Sequence, residues 1–378
     1  VTQRRLVTSL FPVALAPNGE LGEALKRVKE GLREIPNKGL GYGVFTDLGN
    51  TEQQQALRAL PKARVVFNYL GQFDGSFNDS TLWAPAQESA GTCFDGDAPQ
   101  QHDLAINGQV YAGQLTLSVR FSKARYRHAS VQALANRFQR ELEALVDHCS
   151  GGVHGATPSD FPLASISQQH LDRLPLEFDN LADLYPLSPM QQGMLFHSLY
   201  DVHGSAYLNQ LRVDIDGLEP ARFKAAWEAV VARHDILRSG FLSQDDKPLQ
   251  WVARQVEFPW FEEDWRAREN QNVALNDLAQ GQRRAMDLSK PPLMRVALVK
   301  VGKTRHHLIW TSHHLLLDGW SGAQLLGEVI RHYEGSLLPA QAGRYRDYIE
   351  WLKERDSTAS EAFWRECLGQ VEEPPRLA

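Results

Sequence analysis

Between residues 308 and 333 the sequence predicts a buried strand, a short loop and a helix in direct succession. Leu308-Ile309-Trp310-Thr311 is an apolar run of residues that favour strands. Ser321 and Gln324 have the spacing of a capping box, which marks the start of a helix. Apolar residues then recur at helical spacing, at Leu325, Leu326, Val329, Ile330 and Tyr333. A loop held between a strand end and a helix start directs its side chains into a cleft.

The loop carries His313-His314, three leucines and then Asp318-Gly319. Histidine exchanges a proton near neutral pH, and its two ring nitrogens serve two partners. Neighbouring residues of an extended segment point to opposite sides, so we predict that one histidine faces the cleft and the other is held inside. Asp318 is better suited to orienting the loop, by pairing with an arginine, than to chemistry. Gly319 allows the chain to turn sharply.

Other interpretations of the histidine pair are a satisfied buried histidine, a metal pair or chance. Metal is disfavoured because adjacent ligands diverge and no carboxylate or cysteine stands at a helical or knuckle spacing. His306-His307 is a second pair, but Thr311 stands where its aspartate should be, so we predict a structural role for it. The functional interpretation of His313-His314 is favoured because the strand, the loop, Asp-Gly and the cap all agree.

The segment from His313 to Gly319 resembles the HHxxxDG signature of nonribosomal peptide synthetase condensation domains. That signature is shared with epimerization domains and, in shorter form, with acyltransferases that resemble chloramphenicol acetyltransferase. Three more segments resemble the first, second and fourth condensation motifs, in the family's order: Ser188–Leu199, Arg233–Phe241 and Tyr345–Trp351.

Length and composition set broad limits. At 378 residues the chain is long enough for two domains, and no apolar run reaches the length of a membrane span. The net charge of −6 argues against nucleic acid as the main partner. Cys93, Cys149 and Cys367 are few and scattered, which suits a reducing cytoplasm better than a disulfide framework. A chain that begins at Val1 without a visible signal peptide is expected to come from something longer.

The first part of the chain mixes predicted helices and strands. A short strand is predicted at residues 10–13 and an amphipathic helix at 20–35. Residues 103–122 form a predicted hairpin that turns either at Asn107-Gly108 or near Ala112-Gly113. A strong helix is predicted at 129–148. This mixture indicates the α/β (α+β) class.

Part of this region resembles another family. Arg33–Gly43, Phe67–Asp74 and Pro158–Ala164 are similar to the late motifs of an epimerization domain. In that family the paired histidines and a catalytic glutamate lie upstream of these motifs. Asn68 and Tyr69 are candidates for lining the epimerization cleft, although buried strand and turn residues would look the same.

The two resemblances together imply two chloramphenicol-acetyltransferase-like lobes, each a mixed sheet packed with helices. Residues 1–165 correspond to the C-terminal lobe of an epimerization domain. Residues 166–184 are predicted to be an interdomain linker, and residues 185–378 correspond to the N-terminal lobe of a condensation domain.

The condensation resemblance also implies partners and roles. Upstream and downstream carrier domains insert phosphopantetheine arms into a tunnel, so no cofactor is bound directly. An acceptor amino group attacks a donor thioester, and His314 takes a proton or steadies the tetrahedral intermediate. His313 and Asp318 are structural, with Arg238 or Arg295 as the partner of Asp318. Arg233 and His234 are interpreted as cations at a helix C-terminus.

We expect a piece of a larger synthetase that lacks the complementary lobes and is inactive alone. Ser188–His197 resembles condensation domains that take a D donor and an L acceptor. A free-standing acyltransferase that uses coenzyme A and a structural interdomain piece remain open as alternatives. The resemblance implies a peptide product of the antibiotic or siderophore kind.

Overall fold

The computed structural model describes residues 9–73, 88, 91, 95, 98–152, 155–201, 207–243, 247–339, 342–356 and 358–369. The chain divides into two compact units, Val1–Gly155 and Ala156–Ala378. Each unit combines β-sheet with α-helices, which confirms the predicted α/β (α+β) class. Cys93 and the last residue of the segment Phe67–Asp74 lie outside the described residues.

The first unit contains four described α-helices, a 3-10 helix at Pro36–Gly39 and a three-stranded sheet. The helices are α1 (Leu21–Arg33), α2 (Leu40–Leu48), α3 (Thr51–Arg58) and α4 (His128–Ser150). The strands are β1 (Val65–Gln72), β2 (Leu104–Tyr111) and β3 (Gln114–Phe121). Strand β1 runs parallel to β2, and β2 runs antiparallel to β3. Helix α1 confirms the helix predicted at 20–35 and ends before Pro36, which cannot continue a helix.

The β2–β3 hairpin turns at Ala112-Gly113, the second of the two predicted positions. Both residues have positive φ, 51° and 69°, as a type I′ hairpin turn requires. Asn107-Gly108 lies within β2 instead. A Cβ at Gly108 would lie 2.9 Å from a Leu117 side-chain atom and 3.4 Å from the Tyr69 ring. The glycine therefore leaves room for these two side chains.

The strand predicted at residues 10–13 is wrong, because these residues lie outside any helix or strand. Pro12 has no N–H with which to join a sheet. Phe11 instead covers Gly39, whose φ is +75° and where a Cβ would overlap the Phe11 ring. Burial of one aromatic ring replaces strand pairing in this segment.

The second unit contains seven described α-helices and two sheets. The helices are α5 (Gln168–Leu171), α6 (Pro189–Tyr200), α7 (Pro220–Arg233), α8 (Gln271–Gln282), α9 (Gly319–Tyr333), α10 (Tyr345–Lys353) and α11 (Thr358–Leu368). The strands are β4 (Leu181–Pro186), β5 (Leu208–Asp216), β6 (Ser239–Leu242), β7 (Leu249–Ala253), β8 (Trp260–Asp264), β9 (Met294–Lys300) and β10 (Arg305–His313). One sheet has the order β5-β10-β9-β8 and the other has the order β4-β7-β6.

Strand β10 is an inner strand, antiparallel to both β5 and β9. Alternate side chains of an inner strand are buried on opposite faces. Leu308 and Trp310 join the main core, which also contains Trp227 of α7 and Val329 of α9. Ile309, on the other face, packs with Ala279 of α8. Burial on both faces fixes where β10 ends, and the histidine loop begins at that end.

Residues 166–184 differ from the predicted linker because they are packed into the second unit. Leu171, Leu181 and Leu184 are 0%, 2% and 0% exposed. They share a core cluster with Leu249 and Trp251 of β7. Ser167 and Pro175 favour turns, but the leucines of this region supply core contacts.

Candidate active site

The end of β10 holds the histidine pair by its backbone. The His313 N–H donates to the Leu293 carbonyl at 3.0 Å, and the His314 N–H donates to the Tyr207 carbonyl at 2.9 Å. The residues directly before β9 and β5, the two strands that flank β10, therefore hold successive residues of the pair. As predicted, one side chain is held inside, since His313 is 3% exposed, whereas His314 is half-buried.

The hydrogen bonds of His313 leave it no free lone pair. Its Nδ1 accepts from the backbone N–H of Leu315 at 3.1 Å, so in the neutral ring the proton is on Nε2. That Nε2–H faces the Ser198 hydroxyl at 3.4 Å, and Ser198 donates to the Met194 carbonyl at 2.7 Å. Burial, and secondarily the neighbouring His314, lowers the pKa of His313 to about 4. His313 is thus a neutral residue that fixes the loop.

The His314 ring carries its proton on the other nitrogen than His313 does. Its Nδ1 lies 3.1 Å from the Leu317 carbonyl, which only accepts, so the neutral ring carries its proton on Nδ1. The Nε2 lone pair then faces the side-chain amide nitrogen of Asn209, at 2.8 Å. The Tyr207 ring meets the imidazole edge-on, with 6.5 Å between centroids. This arrangement gives His314 one fixed nitrogen and one nitrogen able to accept a proton.

Tyr207 and Asn209 were missed by the sequence analysis. Tyr207 directly precedes β5 and Asn209 is the second residue of that strand, where Asn209 is opposite Ser312 and Leu208 is opposite His313. Only the register of β5 against β10 brings them to the histidine loop. The pattern of strand residues in β5 predicts the strand but not its partner.

Asp318 caps helix α9 rather than pairing with an arginine. Its Oδ1 accepts from the Ser321 N–H at 2.7 Å, and this bond holds the pKa of Asp318 below its usual range. The helix begins at Gly319, so the predicted cap at Ser321 is wrong and Ser321 is the donor. A carboxylate three residues before an orphan N–H satisfies it locally.

The two arginines suggested for Asp318 are engaged elsewhere. Arg238 binds Asp235 at 2.8 Å and donates to the Ala253 carbonyl. Arg295 donates to the Gln282 and Arg284 carbonyls, both at 2.8 Å. The predicted ion pair with Asp318 is therefore wrong, because Arg238 is bound by Asp235 and a backbone carbonyl, and Arg295 is bound by backbone carbonyls.

Gly319 does not have the special backbone that a sharp turn would need. Its φ is not positive, and a Cβ built on it would meet no described atom within 4 Å. The loop turns instead through the Leu316 N–H, which donates to the His313 carbonyl at 3.0 Å. The glycine is the first residue of a helix, where other residues fit equally well.

The remaining candidates lie away from the loop. His307 binds Asp214 at 2.6 Å at the far end of β10, and His306 is 5% exposed. His234, predicted with Arg233 to be a cation at a helix C-terminus, binds Glu328 of α9 at 2.7 Å. Asn68 and Tyr69 are exposed neighbours on β1 of the first unit, and Asn68 lies 3.4 Å from the Asn107 side chain.

In the described ranges, no cluster of three or more His, Cys, Asp or Glu side chains has the arrangement of a metal site. None of the helices found within these ranges is long and apolar enough to cross a bilayer. Cys149 and Cys367 are exposed free thiols.

Known proteins resemble this chain along most of its length. The family model described as Condensation domain matches two segments, residues 6–161 and 181–378. A linear gramicidin synthase protein of Brevibacillus parabrevis is 37% identical over 98% of the chain, which spans 5% of that protein. Bacitracin synthase 1 of Bacillus licheniformis is 31% identical over 98% of the chain, which spans 7% of that protein.

Solved structures give weaker matches. The starter condensation domain of rhizomide synthetase is 24% identical, with a TM-score of 0.45, over 50% of this chain and 49% of that chain. The epimerization domain from the third module of tyrocidine synthetase B is 20% identical, with a TM-score of 0.45, over 51% of this chain and 46% of that chain.

Proposed function

The chain belongs to the condensation-domain family, and on that premise we propose that its second unit forms peptide bonds within a nonribosomal peptide synthetase. The substrates are two thioesters carried on phosphopantetheine arms of neighbouring carrier domains. The acceptor amine attacks the donor thioester carbon, the new C–N bond forms, and the C–S bond breaks to release the donor arm as a thiol. The proton lost by the amine balances the one gained by the thiolate.

His314 is the residue to which we assign this chemistry. A thioester is already activated, so positioning supplies much of the acceleration. The single observation that carries the assignment is the bond from Nδ1 to the Leu317 carbonyl, which leaves Nε2 as the acceptor. A nitrogen of this kind either takes the proton of the attacking amine or donates to the tetrahedral intermediate once protonated. His313, with Nδ1 engaged by Leu315, serves structure.

The test is His314→Ala in the parent synthetase, with peptide release followed after both carriers are loaded. Loss of a general base reduces the rate by about 10²- to 10⁴-fold. Carrier loading should be unchanged. The matched control is His307→Ala, which removes an imidazole from the other end of the same strand. Product formation by His314→Ala at the unmutated rate would exclude His314 from the mechanism.

We further propose that other lobes of the synthetase complete the site. Asn209, whose amide nitrogen lies 2.8 Å from His314 Nε2, is exposed. Trp320, which follows the histidine loop in the sequence, is 79% exposed. Attack of the acceptor amine on the donor thioester needs a site from which water, a competing nucleophile, is excluded. We therefore expect the 378-residue chain alone to be inactive with loaded carriers. Turnover similar to that of the intact synthetase would contradict this.

The first unit is proposed to be the C-terminal lobe of an epimerization domain. Its resemblance to late epimerization motifs supports this, and Asn68 and Tyr69 are the candidates for lining the cleft. In the parent synthetase, Asn68→Ala and Tyr69→Phe should lower the D fraction of the carrier-bound residue. Condensation of a donor loaded chemically in the D form should be unaffected. Gln72→Ala, on the same strand, is the control.

An epimerization lobe that directly precedes a condensation lobe supports a D-specific donor site. An epimerization domain leaves a mixture of L and D thioesters, so a product of one configuration requires selection downstream. About 1.4 kcal/mol of difference in transition-state free energy gives tenfold discrimination. The test supplies carriers loaded with pure D- or pure L-aminoacyl groups, without epimerase activity. Equal rates, or faster condensation of the L donor, would overturn the D assignment.

A further inference from the structure

The buried side chain of Gln191 connects helix α6 to the histidine loop. Gln191 is 3% exposed. Its Nε2 donates to the Leu315 carbonyl at 3.0 Å and to Gln250 Oε1 at 3.0 Å. Its Oε1 accepts from the Ser188 N–H at 3.1 Å. Both amide protons are thus used, and one of them holds the peptide group between Leu315 and Leu316 in the histidine loop.

Gln191 is itself held by a wider polar network. Gln250, 0% exposed, donates to the Ser239 hydroxyl at 2.9 Å and to the Tyr185 hydroxyl at 3.2 Å. The Tyr345 hydroxyl donates to Ser188 Oγ at 3.2 Å. The network joins α6, β4, β6, β7 and α10. An amide fixed from so many elements has one available position, because any shift leaves a buried polar group unsatisfied.

The loop that receives this bond controls the His314 ring. Leu315 and Leu316 are 2% and 5% exposed, so the loop is anchored in the core on both sides of the Leu315 carbonyl. Two residues later, the Leu317 carbonyl lies 3.1 Å from His314 Nδ1. A rotation of the peptide at Leu315 would carry the Leu317 carbonyl away from the ring.

We propose that Gln191 is a positioning residue that sets the orientation of His314 through the Leu315 carbonyl. This rests on the proposed function of His314 for its effect on rate, but the geometric part does not depend on it. The amide touches neither of the imidazole nitrogens. It acts by holding the peptide between His314 and Leu317.

The test compares Gln191→Met and Gln191→Glu with Gln192→Met. Methionine fills the same space without donors, and glutamate keeps the shape but loses both donors. Gln192 is the matched control, since it is the next residue of α6 and its side chain donates to the Leu187 carbonyl, at 3.1 Å, instead of to the histidine loop. If the buried carboxylate of Gln191→Glu prevents folding, the uncharged Gln191→Met decides.

The first readout uses the 378-residue chain. Nitrogen NMR of the imidazoles reports the tautomer of His314, with His314→Ala identifying its signals. In Gln191→Met the fixed Nδ1–H form should give way to a mixture of tautomers, while Gln192→Met keeps the original signals. Unchanged His314 signals in a folded Gln191→Met chain would overturn the proposal.

The second readout is peptide release in the parent synthetase. Misplacement of a catalytic group by about 1 Å costs up to about a hundredfold in rate. We expect Gln191→Met to lower kcat between about ten- and a hundredfold without raising KM for the carriers. A raised KM with normal kcat would overturn the positioning role. If His314→Ala and Gln191→Met both retain full kcat while the His314 signals still change, the proposed chemistry fails and the geometric link stands.

Discussion

The side-chain amide nitrogen of Asn209 lies 2.8 Å from Nε2 of His314, although the two residues are 105 positions apart. The contact exists because β5 runs antiparallel to β10 and ends its pairing at the histidines. It places a neutral hydrogen-bonding group on the one imidazole nitrogen that is free of the loop backbone.

Asn209→Ala should therefore slow condensation without unfolding the chain. Asn209 is exposed, and its hydrogen bond is worth about 1 kcal/mol, so we expect a rate about five- to tenfold lower and a melting temperature lowered by no more than a few degrees. Steady-state peptide release by the synthetase measures this. Asn276→Ala, which removes an exposed amide from α8, is the control. An unaltered rate would show that Asn209 does not hold the ring.

Asp318→Ala should destabilise the chain by about 1 kcal/mol, because helix α9 loses its N-terminal cap. Asp318→Asn keeps an acceptor and should cost less. The hydrogen bond from Ser321 lowers the pKa of Asp318 below its ordinary 3.8, so the carboxylate contributes above that pH and the contribution fades as the pH falls further. Thermal unfolding at about pH 7 and about pH 3 measures both effects. If Asp318→Ala and the unmutated chain had equal melting temperatures at neutral pH, the capping role would be contradicted.

Acidification should weaken the fold through His313. Its pKa falls from an ordinary 6.5 to about 4 because of burial. Between these values the unfolded chain binds the proton and the folded chain does not, so stability is full above pH 6.5 and declines as the pH falls toward 4. The free energy of unfolding of His313→Asn, measured with urea at several pH values, should lack this decline between pH 6.5 and about 4. The same pH dependence in both proteins would show that His313 is not the group responsible.

Gly319→Ala should be tolerated. The residue opens α9 with no positive φ, and its Cβ would meet no described atom within 4 Å. Alanine in a helix is favoured over glycine by up to about 1 kcal/mol, so the melting temperature should stay the same or rise slightly. Gly39→Ala, where a Cβ would overlap Phe11, is the opposite case and should be destabilising. A marked loss of stability in Gly319→Ala would mean that the loop needs glycine after all.

Local patterns predicted what lies close in sequence. The apolar run at 308–311 became part of β10, and the helical spacing after residue 321 became α9. The division of the histidines into one buried and one half-buried side chain followed from strand alternation. These features depend on neighbours a few residues apart, where propensity and periodicity are informative.

Three differences at the site have another cause. The arginine proposed for Asp318 required a distant partner, but an N–H three residues away satisfied the carboxylate without closing a loop. Asn209 escaped notice because its contact depends on strand register. Gln191 lay within a segment chosen for its resemblance, yet its bond to the Leu315 carbonyl spans 124 positions. Such contacts are set by tertiary packing.

The placement of residues 166–184 has a practical consequence for chimaeric synthetases. An exchange of modules cut within this segment would separate Leu171 from Leu181 and leave one parent's side chains against the other's β7. A crossover at Gly155/Ala156 keeps that packing intact, since the chain divides there into its two units. Recombinants joined at 155/156 should therefore express as folded protein more often than those joined at residues 166–184.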